Sequence, residues 1–275
     1  MKATDAAKIV IDAFAGSIGR LPAPIVIGLS GAQGSGKSTL AKTLEAQLSA
    51  AGTKAAVLSL DDLYLSKAER RSLAERVHPL FATRGVPGTH DITLAIEVIN
   101  AVKRGEAVRA PTFDKGADDR RSSVFDNILP ASLDVLVFEG WCVGARAGDD
   151  ASLAKPINTL ERESDGDGVW RRAVNDFLGA PYQDLFARLD RLVFMRAPSF
   201  DVVCKWRIEQ ENDLGASGVA APALMSEFEI ANFIQFYERI TRNMLADVPS
   251  RADLTISLDD KRRVIGVTKR AETTH

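Results

Sequence analysis

Cysteine, histidine and long apolar runs are scarce in this sequence, and each scarcity excludes a class of protein. Two cysteines are too few for a disulfide framework, so we expect Cys142 and Cys204 to be free thiols. The three histidines lack Cys or His partners at ligand spacing, which argues against a histidine metal site. No apolar run approaches the roughly 18 residues of a membrane helix, and the N-terminus lacks a signal-peptide pattern. We therefore expect a cytoplasmic protein without membrane contact.

An excess of charge is also missing. The chain carries 35 Lys and Arg against 37 Asp and Glu, for a net charge of −2. Without a basic surplus, nucleic acid is not an expected partner. Hydrophobic residues make up 45% of the 275 residues, enough for a sizeable core. We expect residues 1–275 to form a single domain with insertions, whose oligomeric state the sequence leaves open.

One glycine-rich motif carries most of the functional information. Residues 31–38 have the G-x-x-x-x-G-K-[ST] pattern of a phosphate-binding loop, between an apolar strand pattern and a helical repeat of leucines. Lys37 can reach the β- and γ-phosphates, and Ser38 can offer its hydroxyl to Mg²⁺. The predicted ATP-binding residues are Gly31, Ala32, Gln33, Gly34, Ser35, Gly36, Lys37, Ser38 and Thr39.

Strand and helix patterns alternate along the chain. This alternation predicts an α/β fold of the P-loop NTPase kind, with a mainly parallel sheet flanked by helices. Ligands of such sheets bind at the carboxyl ends of the strands. The predicted strands are 25–29, 55–60, 133–138, 192–195 and 254–258, with a weaker pattern at 264–267. The predicted helices are 4–18, the segment from the phosphate loop to Gly52, 91–104, 169–188 with a break near 179–181, a helix from Ser199, and 226–245.

Acidic side chains follow two of these strands. Glu139 comes after apolar residues, as expected of an acid that shares Mg²⁺ with Ser38. Asp61 and Asp62 are candidates for the base that activates an acceptor, and neighbouring side chains on a strand point to opposite faces. An isolated acid at a strand end is as often a turn former or a helix cap. The prediction therefore depends on several acids converging on the edge that carries the phosphate loop.

Cations near the transferred phosphoryl group are also expected. Lys37 is one, and Arg207 is the candidate on a helical lid at about 199–225, since the small residues at 213–222 indicate mobility. The alternative is a solvated helix followed by a plain loop.

Arg84 and Lys115 lie in loops, where they could bind an anionic acceptor through their positive charges. The alternative for each is a solvated surface charge, which is the more common role of charged loop residues. We expect acceptor-binding loops at about 61–125 and a polar insertion at about 144–168, after an N-terminal helix.

The order of these elements resembles the phosphoribulokinase, uridine kinase and pantothenate kinase group of P-loop kinases. In that group the acid after the second strand is the acceptor-activating base, which implies Asp61, and the acid of the F-E-G element lies by the metal, which implies Glu139. The segments that carry the resemblance are 31–38, 58–64 (Leu-Ser-Leu-Asp-Asp-Leu-Tyr), 87–91 and 137–141 (Val-Phe-Glu-Gly-Trp).

Within that group the chain resembles the plant-type D-glycerate 3-kinases and their bacterial and fungal relatives, from residue 25 to 258. The narrower motif is Arg-Gly-Val-Pro-Gly-Thr-His-Asp at 84–91, with Phe-Asp-Lys at 113–115 and Glu-Gly-Trp at 139–141. The chain departs from the family at Leu63 and Phe113. The resemblance implies ATP- and Mg²⁺-dependent conversion of D-glycerate to 3-phosphoglycerate. The implied acceptor-binding residues are Asp61, Asp62, Tyr64, Arg84, His90, Lys115, Arg120 and Trp141.

Two other functions remain open at this point. A uridine- or pantothenate-type kinase would act on another small alcohol, but a nucleoside pocket needs a ring to stack the base. The candidate loops offer few rings, Phe81 and Phe113 being the nearest. An ATP-hydrolysing regulatory switch would have no small acceptor, and it would not need Asp61 or the 84–91 segment.

Overall fold

The computed structural model describes residues 3–18, 23–121, 127–216 and 225–271. Short 3-10 helices cover Leu60–Leu63, Pro79–Ala82 and Val248–Ser250. The α-helices are α1 (Ala3–Phe14), α2 (Lys37–Ala50), α3 (Lys67–Arg76), α4 (Ile92–Lys103), α5 (Asp150–Leu153), α6 (Thr159–Ser164), α7 (Val169–Gly179), α8 (Pro181–Phe186), α9 (Asp201–Ala216) and α10 (Glu227–Asp247). The strands are β1 (Ile25–Gly31), β2 (Ala55–Ser59), β3 (Val108–Arg109), β4 (Phe113–Asp114), β5 (Asp119–Arg120), β6 (Ile128–Leu129), β7 (Val135–Gly140), β8 (Arg191–Arg196), β9 (Leu254–Leu258) and β10 (Val264–Lys269).

The main sheet has six strands in the order β10-β9-β8-β1-β7-β2. The strand β1 pairs in parallel with β7 and β8, and β2 and β9 extend the parallel part on either side. Only the edge strand β10 runs antiparallel to its neighbour. Every residue of β1 and β7 is buried, as expected of strands covered by helices on both faces. The structure thus confirms the α/β fold with a mainly parallel sheet.

Two apolar clusters cover the two faces of this sheet. Alternate residues of β7 belong to different clusters: Val137 packs with α1 and α2, whereas Phe138 packs with α4, α7, α8 and α10. Because successive strand side chains point to opposite faces, the clusters lie on opposite sides. Both cysteines are free thiols, as predicted, and Cys142 is buried. No helix in the described part of the chain is long and apolar enough to cross a bilayer.

The structure differs from the expected elements in three segments. The polar insertion is more ordered than expected, because Asp149 and Asn158 cap the short helices α5 and α6 within it. The N-terminal helix ends at Phe14 rather than at residue 18. The predicted small-residue segment at 213–222 is helical up to Ala216, and its remainder lies outside the described residues. The last part of the predicted acceptor loops, 122–125, lies outside them as well.

The sheet order determines where the functional residues meet. The neighbours β1, β7 and β2 run parallel, so the segments after them emerge at one edge. This edge carries the phosphate-binding loop, Glu139 at the end of β7, and Asp61 in the 3-10 turn after β2. The N-terminus of α2 also faces this edge, and its dipole and free N–H groups favour an anion there.

Candidate active site

The phosphate-binding loop is held in place by residues far along the chain. Gly34 has a φ of 72°, and a Cβ built on it would lie 2.6 Å from the Cβ of Trp206, so both backbone and packing require glycine. Arg262 donates a hydrogen bond to the Gly34 carbonyl at 2.6 Å, and its guanidinium lies 5.3 Å from the ring centre of Trp206. The loop is therefore braced from α9 and from the β9–β10 turn before any nucleotide binds.

Ser38 and Glu139 lie together at the start of α2. The Ser38 hydroxyl donates to Oε1 of Glu139 at 2.8 Å, and the Ser59 hydroxyl donates to the same oxygen at 3.1 Å. Glu139 is 4% exposed, and within the described part of the chain its buried Oε2 has no hydrogen-bond partner. A buried, unpaired carboxylate oxygen is costly unless a cation reaches it, and Mg²⁺ prefers oxygen ligands. Ser38 and Glu139 therefore fit a Mg²⁺ ion that arrives with the nucleotide.

Asp61 is the carboxylate best placed to act on an acceptor. Its Oδ2 accepts a hydrogen bond from Lys115 Nζ at 2.7 Å, and its Oδ1 accepts one from the Tyr64 hydroxyl at 3.2 Å. Burial by itself would raise the pKa of Asp61, but the ammonium groups of Lys115 and Lys37 hold that pKa well below its ordinary value. Asp61 is thus ionised at neutral pH and can accept a proton or a hydrogen bond.

Asp62 points away from this site. Its Oδ1 accepts a hydrogen bond from the backbone N–H of Phe113 at 3.1 Å, and burial raises its pKa. The two side chains diverge because they lie in a 3-10 turn, whereas the sequence prediction assumed a strand. In the structure Asp62 anchors β4 and does not line the cavity described next.

A cavity of about 270 Å³ lies beside the phosphate-binding loop. The sequence predicts an acceptor site with charged and aromatic groups at this edge, and the structure brings most of these groups together. The predicted catalytic, metal-binding and acceptor-binding residues that line the cavity are Lys37, Ser38, Asp61, Tyr64, Arg84, Lys115, Trp141 and Arg207. An anion entering this cavity would therefore meet four cationic side chains and one base.

The four cations of the cavity come from four separate segments of the chain. Arg84 precedes the Gly85–Asp91 segment, and its guanidinium lies 5.6 Å from the ring centre of Phe113 and pairs with Asp118. Arg207 projects from α9 and pairs with Glu211, with 2.5 Å between the charged atoms. The helix α9 is the part of the predicted lid that the structure describes. The cavity thus lies between the loops that follow β2 and this helix.

Besides Asp62, two predicted acceptor-binding residues lie outside this cavity. Arg120 donates to the Tyr64 carbonyl at 2.8 Å and to the Asp91 carboxylate at 2.9 Å, so it joins the loop after β2 to the start of α4. His90 is 4% exposed, stacks on Tyr64 with 4.4 Å between ring centres, and lies 2.6 Å from the Tyr182 hydroxyl through Nδ1. Both residues support the wall that presents Tyr64 to the cavity.

The burial of His90 predicts a pH-dependent stability. Burial lowers its pKa from 6.5 to about 3, although the Asp61 carboxylate acts in the opposite direction. Below pH 6.5 the unfolded chain therefore binds a proton that the folded chain does not, and stability falls as the pH falls. Lowering the pH from about 8 to about 5.5 should therefore reduce the free energy of unfolding by about 1.4 kcal/mol through His90 alone.

Urea unfolding of the wild type and of His90→Gln at the two pH values measures this contribution. When the pH is lowered over that interval, the free energy of unfolding of the wild type should fall by about 1.4 kcal/mol more than that of the variant. Equal losses in the two proteins would mean that His90 takes up a proton in the folded state, and its neutral, buried environment would then be disproved.

Sequence analysis missed part of the cavity wall. Phe233 and Tyr237 lie one turn apart on α10, and the ring of Tyr237 meets Trp141 edge to face with 4.9 Å between centres. The Tyr237 hydroxyl abuts Gly85, where an added Cβ would lie 2.2 Å away and where φ is 142°. Spaced aromatics on a helix are ordinary core residues, so the pattern alone did not distinguish them. The prediction of few aromatic rings concerned the loops, and α10 adds two further rings to the cavity.

Comparison with known proteins agrees with this geometry. A sequence model of the phosphoribulokinase / uridine kinase family matches residues 26–145. An uncharacterized kinase of Schizosaccharomyces pombe, mug58, is 37% identical over 224 residues, 78% of this chain and 78% of its own length. The chloroplastic D-glycerate 3-kinase of Arabidopsis thaliana is 29% identical over 262 residues, 88% of this chain but 54% of its own length.

A solved structure extends the likeness to nearly the whole chain. The D-glycerate 3-kinase of Cryptococcus neoformans superposes with a TM-score of 0.79 at 24% identity, over 98% of this chain and 99% of its own. At that identity the superposition shows a shared fold. The S. pombe relative and the family model identify the family, and the phosphate-binding loop and the buried Glu139 agree with them. The chain belongs to the phosphoribulokinase and uridine kinase family of P-loop kinases.

Proposed function

We propose that this kinase transfers the γ-phosphoryl group of ATP to a hydroxyl of a small hydroxy acid, and that D-glycerate is converted to 3-phosphoglycerate. The observation that carries the proposal is the position of Asp61 beside Lys115, in the cavity that Arg84 and Lys37 also line. A hydroxy acid needs a base at its hydroxyl and a cation at its carboxylate. The similarity to the Arabidopsis thaliana D-glycerate 3-kinase supports the same acceptor.

The residues of the cavity have complementary roles in this reaction. Asp61 orients the acceptor hydroxyl and takes its proton while the hydroxyl oxygen forms a bond to the γ-phosphorus. The bond from that phosphorus to the bridging oxygen breaks, and ADP leaves with the electron pair. Lys37 and Arg207 stabilise the charge on the transferred group. Mg²⁺, which Ser38 and Glu139 would hold, supplies further charge neutralisation when bound.

The size of the cavity favours a small acceptor. Its volume of about 270 Å³ must also admit terminal phosphates, whereas sites for drug-sized ligands span roughly 300–1,000 Å³. The rings of Tyr64, Trp141, Phe233 and Tyr237 are the observation that favours a nucleoside or pantothenate instead. The ring of Trp141 is already committed, because Tyr237 packs against it and its Nε1 donates to the Gly85 carbonyl at 2.9 Å.

A panel of acceptors tests the proposal. Coupled ADP release is measured with D-glycerate, uridine, cytidine and pantothenate at equal ATP and Mg²⁺. D-Glycerate should give the highest kcat/KM. Clear turnover of a nucleoside without turnover of D-glycerate would overturn the hydroxy-acid assignment and leave a kinase of another alcohol.

Removing the Arg84 guanidinium should weaken acceptor binding selectively. Losing one charge-assisted hydrogen bond costs about 1.5–3 kcal/mol, so Arg84→Ala should raise the KM for D-glycerate by roughly 10- to 150-fold. The KM for ATP should change little, because Arg84 lies outside the phosphate-binding loop. Steady-state kinetics with each substrate varied in turn separates the two constants.

Arg121→Ala is the matched control, since Arg121 is 52% exposed and does not line the cavity. It should leave both constants near the wild-type values. If Arg84→Ala raised the KM for ATP as much as that for D-glycerate, Arg84 would be a nucleotide contact and its proposed role would be wrong.

A further inference from the structure

The proposed base is already engaged in the ligand-free protein. Both carboxylate oxygens of Asp61 accept a hydrogen bond, Oδ2 from the Lys115 ammonium at 2.7 Å and Oδ1 from the Tyr64 hydroxyl at 3.2 Å. Burial alone would raise the pKa of Asp61, but the Lys115 ammonium helps to hold that pKa below its ordinary value, so this ion pair weakens Asp61 as a proton acceptor. Asp61 becomes a stronger base when Lys115 takes another partner.

The hairpin that carries Lys115 is anchored to its surroundings, whereas the Lys115 side chain is largely exposed. Lys115 follows β4 in the β4–β5 hairpin, and its side chain is 61% exposed. Asp118, near the tip, pairs with Arg70 at 2.8 Å, and the Arg70 side chain is 0% exposed. Asp118 also pairs with Arg84 and adopts a φ of 55°, which is uncommon for a residue other than glycine.

A second anchor holds the other end of this hairpin. The Asp62 carboxylate accepts the backbone N–H of Phe113 at 3.1 Å. The guanidinium groups of Arg70 and Arg84, which both pair with Asp118, lie 5.7 and 5.6 Å from the centre of the Phe113 ring. The hairpin is thus a rigid support that brings one flexible ammonium group onto Asp61. Lys115 and Arg84 also line the same cavity, so an anion entering there meets both.

We propose that Lys115 is a gate on Asp61 that the acceptor itself opens. The carboxylate of the incoming acceptor takes the Lys115 ammonium as its partner, and Asp61 becomes free to receive the proton of the acceptor hydroxyl. Without an anionic acceptor the gate stays closed, water is not activated, and bound ATP is spared from hydrolysis. This inference rests on the proposed function in one respect, namely that the acceptor is an anion.

Replacing the gate should uncouple ATP hydrolysis from acceptor binding. In Lys115→Met, the rate at which ADP and inorganic phosphate are released without any acceptor should rise on the order of 10-fold. This increase is a fraction of the roughly 10²–10⁴-fold rate enhancement that a positioned base supplies. The KM for D-glycerate should rise by roughly 10-fold or more in the same variant. If Lys115 only stabilised the transition state, the hydrolysis rate of Lys115→Met without acceptor would fall instead of rising.

Two further variants make this result specific. Arg121→Met removes a cation from the end of the same hairpin, 3.9 Å from Asp114 and outside the cavity, and should leave hydrolysis and KM unchanged. Lys115→Arg keeps the charge, so its hydrolysis without acceptor should rise less than that of Lys115→Met. If Lys115→Met hydrolysed ATP no faster than Arg121→Met, the gate would be disproved.

The wild-type protein allows an independent test with a truncated acceptor. D-Lactate is D-glycerate without the 3-hydroxyl, so it can engage Lys115 but cannot accept the phosphoryl group at that position. It should stimulate release of inorganic phosphate by the wild type, whereas glycerol, which has no carboxylate, should not. In Lys115→Met the lactate stimulation should be absent. Stimulation that persists in Lys115→Met, or none in the wild type, would overturn the gate.

Failure of the gate and failure of the proposed function have different signatures. If the wild type phosphorylates D-glycerate but Lys115→Met and D-lactate leave hydrolysis unchanged, the gate alone is wrong. If D-glycerate is not phosphorylated while Lys115→Met still accelerates hydrolysis and D-lactate still stimulates the wild type, the gate stands and the acceptor assignment is wrong.

Discussion

Replacing Lys37 by alanine is expected to lower kcat by on the order of 10³-fold or more. Lys37 lines the cavity from the phosphate-binding loop, and its ammonium also contributes to the low pKa of Asp61. The variant removes the cation that the motif places at the β- and γ-phosphates, where charge develops during transfer. The measurement is kcat for ADP release at saturating ATP and acceptor, with circular dichroism to confirm that the fold is retained.

Lys42→Ala provides the matched control for this variant. Lys42 lies further along α2, and it does not line the cavity, so its removal should leave kcat near the wild-type value. Turnover of Lys37→Ala within a few-fold of the wild type would show that the phosphate-binding loop has been assigned wrongly.

Replacing Asp61 by asparagine should lower kcat by roughly 10²–10⁴-fold while ATP still binds. Asparagine keeps the size of the side chain, but it can neither take the acceptor proton nor pair with the Lys115 ammonium. The base acts on the acceptor, so the dissociation constant for ATP, measured by nucleotide titration, should change little. A loss of ATP affinity equal to the loss in kcat would place Asp61 in the nucleotide site instead.

Asp62→Asn tests the choice between the two neighbouring acids. Asp62 accepts the backbone N–H of Phe113 and lies outside the cavity lining, so its variant should be milder in kcat. An inverted ranking of the two variants would move the base to Asp62. It would also require the 3-10 turn after β2 to present the opposite side chain to the acceptor.

The sequence predicted the local and the topological parts of this site. The phosphate-binding loop is a contiguous motif between a strand and a helix, so its conformation follows from eight neighbouring residues. Asp61 and Glu139 are 78 positions apart (139 − 61), yet their convergence could be expected because parallel strands end at one edge. In both cases a simple geometric rule connects the pattern to the position.

Long-range packing could not be predicted in the same way. Phe233 and Tyr237 join the cavity from a helix that looks like any other amphipathic helix, and Arg262 reaches the Gly34 carbonyl from 228 positions away. The helices α5 and α6 were missed because short polar helices have no apolar periodicity, and only their caps mark them.

Resemblance to a family indicates positions but not side-chain orientations. Arg120 and His90 were both expected at the acceptor, yet one forms an ion pair with Asp91 and the other contacts Tyr182. Both support Tyr64, which does line the cavity, so a variant at either position would act on the acceptor through that residue.

Identification of the phosphorylated product tests the central claim most directly. The purified protein is incubated with ATP, Mg²⁺ and D-glycerate, and the products are followed by ³¹P NMR. The account predicts 3-phosphoglycerate and ADP in a one-to-one ratio, with little inorganic phosphate. ADP accompanied only by inorganic phosphate would indicate a hydrolysing switch and would contradict the account.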